Sequence, residues 1–470
     1  MQIKLPPHLP GERVIFRALF CFAVLATSLT PVVASEVSTT APTQEQQSEF
    51  AASTESERLQ ILIMLIKSGN PDMAEYFFLK HPLQGKHAAN RTLYIKGLIK
   101  KSRGDLTGAA KEFRSALAAD PKLTLVRADL AETLYQLEED ESAIHHLKLL
   151  QSEAPDAEAA TGISSFIDRI DSRSPYKFNA YVSAAPTSNV NSGSIRNVIY
   201  LPGGFKLQIA EPSKRKSGLG VAAGANASYA KRFGNDQMFV VSGGVDGRMY
   251  DHSDFDSLTF SQSAELRNLT SSGYVSLGFV ASQSINTDSP SIDYMSYGPR
   301  VSWRHGITHQ DLLNLSATYE IRDYAHSSTR DGGALLLNGA LTHIFDSSFS
   351  ATLETGFTKV TVDDDNTASA NAYETFSAGL ELYKELPFGL TVNAGANIET
   401  TQFEGHFYNV AAFDPRTDLR AAGNFTLTKR DLNIFGFAPS ITYSYTWNDS
   451  NYGIYDFDTH AVDLRLTKEF

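Results

Sequence analysis

The sequence predicts two folds in one chain: an all-α domain built from internal repeats, followed by an all-β transmembrane barrel of about 14 antiparallel strands. Three observations carry this. Apolar residues recur at helical spacing up to about residue 170, within a repeating unit of about 34 residues. From Tyr176 onward the period changes to two. Outside the first 35 residues no apolar run approaches the ~18 residues of a membrane helix, which excludes a polytopic helical membrane protein but not one that crosses with strands. The 470 residues are too many for one compact core. Aromatic residues reach 11% while charged residues are only 20%, a chain rich in rings and poor in charge. A net charge of -12 argues against nucleic acid, because phosphate binding needs a dense basic surface.

Residues 1–35 read as an export signal, with Lys4, Arg13 and Arg17 before an apolar stretch from Ala18 to Leu29 and small residues at Ala34 and Ser35. Cys21, the only cysteine, falls within it, so the mature chain holds neither disulfide nor thiol nucleophile. Removing Lys4, Arg13, Arg17 and Glu12 leaves 38 basic and 52 acidic residues. Residues 36–57 are rich in Ser, Thr, Gln and Glu, which predicts a flexible tail.

The helical domain spans 58–172. In residues 90–123 the small Gly97, Ala109 and Ala116 sit where paired helices approach closely. Gly104-Asp105 makes the turn, Phe113 fills the space between helices, and Pro121 stops the second helix. This is the tetratricopeptide pattern. A second unit at 124–157 repeats it with Ala131, Tyr135, Ala143 and Leu147, and a degenerate earlier unit carries Gly69 and Ala74. About three repeats result, with 157–170 as a cap. Such stacks present a concave groove from the first helix of each unit, here Arg91, Tyr94, Leu98 and Lys101, then Leu125, Ala128, Glu132 and Tyr135. These residues are the candidate client-binding groove, with packing as the competing role for Leu98 and Ala128.

The barrel spans 176–470. Pro439, Ile441, Tyr443, Tyr445 and Trp447 share one face of a strand while Ser440, Thr442, Ser444 and Thr446 share the other. Repeated along the segment, a large apolar face against a small polar one is the outward band and lumen of a membrane barrel. Fourteen strands fit between Val182 and Leu464, an even number. Short turns at 233–236, 345–348, 386–389 and 430–431 alternate with longer loops at 189–211, 251–256, 325–332, 363–369 and 404–416, so the short turns face the periplasm. Lumen positions pair opposite charges two residues apart: Asp246/Arg248, Glu265/Arg267, Glu320/Arg322 and Asp463/Arg465. The last strand, with Leu464, Leu466 and the terminal Phe470 outward, has the form of a barrel-assembly signal read by the assembly machinery, and its outward face meets outer-membrane lipid.

No catalytic motif, metal site or cofactor site is assigned. His305 and His309 lie on and beyond a strand end, where a four-residue spacing builds no ligand face. His145-His146 diverge on a helix and point to a surface or groove role. Gly218 to Gly224 opens a strand, so its glycines read as small lumen residues and not as a nucleotide loop. Asp363-Asp364-Asp365 reads as a solvated exterior loop.

Exported repeats followed by a 14-strand barrel resemble the surface lipoprotein assembly modifier family, the outer-membrane component of type XI secretion. The barrel start, Phe178-Asn179-Ala180-Tyr181-Val182-Ser183 followed by Ser188-Asn189-Val190-Asn191, is similar to that family's first strand and loop. The resemblance implies a translocon in the cell outer membrane, its repeats in the periplasm engaging an exported lipoprotein or soluble client protein, and no enzyme activity. The alternatives are an exopolysaccharide exporter, disfavoured by few repeats and a mixed-charge lumen, and a nutrient porin, which leaves the repeats without a task. Transit through the lumen, by a lateral opening between the first and last strands, or by a partner machine is left open.

Overall fold

A computed structural model describes residues 42–467 except 155, 174, 202–203, 235, 252, 287–290, 364–370, 407–409, 411–412, 431 and 433–436. The expected export signal, the acidic loop from Asp364 and the terminal Phe470 lie outside the described residues. The chain forms two compact units that divide between Ile170 and Asp171.

The first unit is all helix: α1 (Gln44–Ala52), α2 (Glu55–Lys67), α3 (Pro71–Lys80), α4 (Ala88–Ser102), α5 (Leu106–Ala119), α6 (Thr124–Gln136), α7 (Asp140–Gln151) and α8 (Ala157–Arg173). Helices α4/α5 and α6/α7 are the two expected repeats, α2/α3 the degenerate one, and α8 follows as the cap. A Cβ on Gly97 would stand 2.4 Å from the Phe113 ring, so the glycine makes room for the ring that fills the helix pair. Ala109, Phe113, Ala116, Leu130, Ala131, Leu134 and Ala143 share one dry core. Gly69 and Gly104 turn between helices at φ +82° and +83°, a region other residues enter at a cost. The Asp105 side chain accepts from the Gly108 N–H at 2.9 Å and starts α5.

The region expected to be a flexible tail is corrected in part. Residues 44–52 form α1, started by a capping box in which Thr43 and Gln46 bond reciprocally. Phe50, the one large apolar residue there, stacks on Phe77 at 4.6 Å, and the Arg58 Nε donates to its carbonyl at 3.0 Å. A good cap and one buried ring order a segment whose average composition is polar.

The second unit is a closed antiparallel barrel of 14 strands: β1 (Tyr176–Ala184), β4 (Gly220–Phe233), β5 (Gln237–Tyr250), β6 (Ser257–Thr270), β7 (Gly273–Asn286), β8 (Ser291–Gly306), β9 (Asp311–Asp323), β10 (Gly332–Asp346), β11 (Phe349–Val362), β12 (Tyr373–Leu386), β13 (Leu390–His406), β14 (Pro415–Lys429), β15 (Ala438–Ser450) and β16 (Phe457–Thr467). Each strand pairs with its sequence neighbour in the barrel, and β1 closes the ring against β16, with Val182 opposite Leu466 and Ala184 opposite Leu464. A two-stranded hairpin, β2 (Val198–Leu201) with β3 (Phe205–Gln208), sits in the long connection from β1 to β4. Turns at 271–272, 347–348 and 387–389 are short. The outward face is apolar and uncovered, Phe178 at 62% and Leu277 at 64% exposure, which only a lipid solvent makes stable. No described helix is long and apolar enough to cross a membrane.

Candidate functional site

The structure sorts the repeat residues by exposure. Tyr94 and Leu98 are 6% and 4% exposed and belong to the core, which corrects the expected place of Tyr94 on an open groove and gives Leu98 its competing role in packing: both lie on the side of α4 turned to its neighbours. The Tyr94 hydroxyl donates to Asp129 of α6 at 2.8 Å. Lys101 reaches the same Asp129 at 3.2 Å and Glu132 at 2.8 Å. The two repeats are therefore tied by a polar knot. Burial, with Asp129 alongside, pushes the Tyr94 hydroxyl well above the ordinary phenol value. Burial would lower the Lys101 ammonium, but Asp129 and Glu132 outweigh it and its pKa is raised. Arg91 pairs with Glu55 at 2.8 Å and remains half-exposed. Glu132 is exposed, Leu125 is half-buried, and Tyr135 sets its ring edge-on to Phe166 of the cap at 5.0 Å. His146, expected at a surface or in the groove, is buried with its Nδ1 3.2 Å from the buried Arg127; neighbouring positions on a helix differ by about 100°, so His145 remains partly exposed while His146 turns inward.

In the barrel the alternation puts charge inside, where each expected pair forms. Arg465 lies 3.3 Å from Asp463, Arg322 lies 3.4 Å from Glu320, Arg267 bonds Glu265, and Arg248 reaches Asp246 at 4.0 Å. Arg416 with Asp418 is a fifth pair of the same spacing that sequence reading passed over; the same i,i+2 pattern identifies it. At Gly224, which faces the lumen, the Tyr181 ring occupies the space a side chain would need. Tyr181 in turn bonds Asp246 and lies under the Arg465 guanidinium at 4.0 Å. Charge is thus held locally along the wall. At the opposite end of the chemistry, His305 bonds Ser272 at 2.9 Å, and no metal-holding group of His, Cys, Asp or Glu occurs among the described residues.

The Ser188-Asn189-Val190-Asn191 segment acts as a brace. The Asn189 amide donates to the carbonyls of Gly193 at 3.0 Å and Asp458 at 2.9 Å, while its oxygen accepts from the Gly193 N–H. The Asn191 amide donates to Lys214 O at 2.8 Å, and its oxygen accepts from Lys216 N at 3.0 Å. Arg196 bonds Asp456, and Arg215 pairs with Asp458 at 2.7 Å. The first long connection is in this way strapped to the start of the last strand. Its Thr187, Asn189, Val190 and Ser192 line a lumen cavity of about 560 Å³. Of the expected assembly signal, Leu464 and Leu466 face outward and exposed.

The sequence matches the family described as surface lipoprotein assembly modifier over residues 176–470 and a tetratricopeptide repeat model over residues 102–164. It is similar to the hemophilin secretion modulator of Acinetobacter baumannii, 21% identical over 81% of this chain and 79% of that one. It is also similar to a surface lipoprotein assembly modifier of Pasteurella multocida, 22% identical over 88% and 82%. Among solved structures, Acinetobacter baumannii OccAB1 overlaps 62% of this chain and 96% of its own at 9% identity and a TM-score of 0.33. A bacterial polysaccharide outer membrane secretin overlaps 62% and 98% at 8% identity and a TM-score of 0.34. At those scores neither carries an argument about function. With 14 strands closed, charge turned inward and the family's model spanning the whole barrel segment, the chain belongs to the surface lipoprotein assembly modifier family of the outer membrane.

Proposed function

We propose that this protein is a translocon that delivers a surface lipoprotein or a secreted ligand-binding protein across the outer membrane. The repeat domain stands in the periplasm and engages the client there. The observation that carries this reading is the pairing of a repeat domain with a barrel that carries five inward charge pairs of mixed sign along its strands. Mixed signs leave no single-sign corridor by which the lumen would choose a cargo, so the choice falls to the repeats. The names of the two relatives, one a secretion modulator and one an assembly modifier, support the same reading.

Within the repeats, Arg91, Leu125, Glu132, Tyr135 and the exposed edge of Lys101 are the client contacts, and Tyr94 and Leu98 set the spacing of the helices that carry them. The outward faces of Leu464 and Leu466, with the terminal Phe470, serve assembly into lipid through the barrel assembly machinery. The protein carries out no catalysis and needs no cofactor. An exopolysaccharide exporter is disfavoured by the small number of repeats and the mixed-charge lumen, and a nutrient porin would leave the repeats without a task.

Deleting residues 90–157 in frame tests this. The deletion should remove a specific protein from the cell surface while the barrel stays inserted and small-solute uptake is unchanged. Altered solute uptake with every surface protein still displayed would put the nutrient-porin reading first.

A further inference from the structure

Two neighbouring strands of the lumen wall carry a stripe of hydroxyls. On β15 the inward residues Ser440, Thr442, Ser444 and Thr446 are all hydroxyls without a charge among them. Thr426 and Thr428 of β14 extend the same surface, and the Thr426 and Thr442 hydroxyls lie 2.8 Å apart. Together they line the 560 Å³ cavity with Asn189 and Ser192 of the strap, and the charged Arg420, Asp463 and Arg465 flank the stripe. Across the barrel a second cavity of about 320 Å³ is lined by Arg300, Arg304 and Glu354, and no ion pair within 4.0 Å holds either arginine among the described residues. At the turn end of the hydroxyl wall, Thr391 stands opposite Thr428 in register. It is 1% exposed, and its hydroxyl has no hydrogen-bond partner there.

We propose that the client crosses inside the lumen as an extended chain along this hydroxyl wall and leaves beneath the strap; this rests on the translocon reading above. Inward residues on a strand recur every ~7 Å, the repeat at which an extended polypeptide presents like-facing backbone groups. Each hydroxyl both donates and accepts, so the wall satisfies N–H and C=O groups of any sequence in either direction. Arg300 and the half-buried Arg304 opposite would instead hold acidic segments and repel basic ones. A barrel of this strand number lies below the open porins in width, which suits an unfolded segment and excludes a folded domain.

The only cysteine in the sequence is Cys21, so single-cysteine reporters in the full-length chain have a clean background. The probe is the exported protein whose surface display the 90–157 deletion removes, fused to a stably folded domain that halts it in transit. Cysteines replace Thr442 or Ser444 on the wall, Ser316 across the lumen and Tyr443 on the lipid face, each carrying a thiol-linked benzophenone. Light should give adducts with the halted client from Thr442→Cys and Ser444→Cys about ten-fold above the other two positions, since only these share its local concentration. Thr442→Val, which keeps shape but removes the hydroxyl, should lower display several-fold. Equal adducts from both walls, or adducts mainly from Tyr443→Cys, would overturn the route while leaving the translocon reading intact. If the deletion removes no surface protein, both fall.

Discussion

The repeat domain and the barrel hide apolar surface in opposite directions. In the first unit Phe113, Leu130 and Leu134 are fully buried and most polar groups face water, with Arg127, Asp129 and His146 buried among the helices. In the second, Leu353 and Phe376 stand uncovered on the outside while Glu320, Arg322, Asp463 and Arg465 fill the inside. The same preference of apolar groups for an apolar neighbour produces both, because one unit must make its own core and the other uses lipid as one. The difference teaches where substitutions hurt.

The largest expected effect follows from that contrast. Phe113→Ala empties the space between α4 and α5 and should cost about 3–5 kcal/mol, seen as a lower melting temperature of the helical signal. Phe376→Ala on the barrel exterior should cost well under half of that, since lipid chains close over the vacated site. A matching loss at both positions would contradict the two-solvent picture. The pair sharpens it further if Phe113→Ala leaves heat-modifiability of the barrel unchanged.

A smaller effect belongs to the knot between repeats. Tyr94→Phe removes a hydrogen bond to a charged partner and should cost about 1.5–3 kcal/mol. Tyr94 has a raised pKa in the fold, from burial and then from Asp129, so its stabilising contribution is complete below the unfolded value of about 10 and is lost as pH rises above it. Lys101, also raised, acts with the same sign. Helix melting should therefore be steady between about pH 6 and 9 and fall above about pH 10, with the fall blunted in Tyr94→Phe. Melting insensitive to alkali in the unaltered chain would show that the knot contributes nothing.

The two regions also differed in how much a sequence discloses. A strand has two sides, so alternation alone assigned Glu320, Arg322, Asp463 and Arg465 to the lumen, and the structure pairs them there. A helix turns each residue by about 100°, and repeat position by itself does not separate a groove from a seam. That is why Tyr94 and Leu98, grouped with Arg91 and Glu132 by spacing, prove to be core. His146 failed for the same reason. Helix α1 was hidden because its order comes from a cap and one ring, Phe50, against a residue 27 positions later, Phe77, and composition averages over such contacts. The role of Asn189 as a staple to Asp458 was likewise not legible, since the partner is a backbone carbonyl at the far end of the chain.

The central claim is that the repeats select a protein which the barrel then passes. Purified full-length protein and a form limited to residues 176–470 can each be placed in lipid vesicles with the repeat side outward, and the client identified by the 90–157 deletion added outside. Client should become protected from protease with the full-length protein and stay digestible with the barrel alone, while both vesicles show the same small-solute leakage. Equal protection by the barrel alone would contradict the claim.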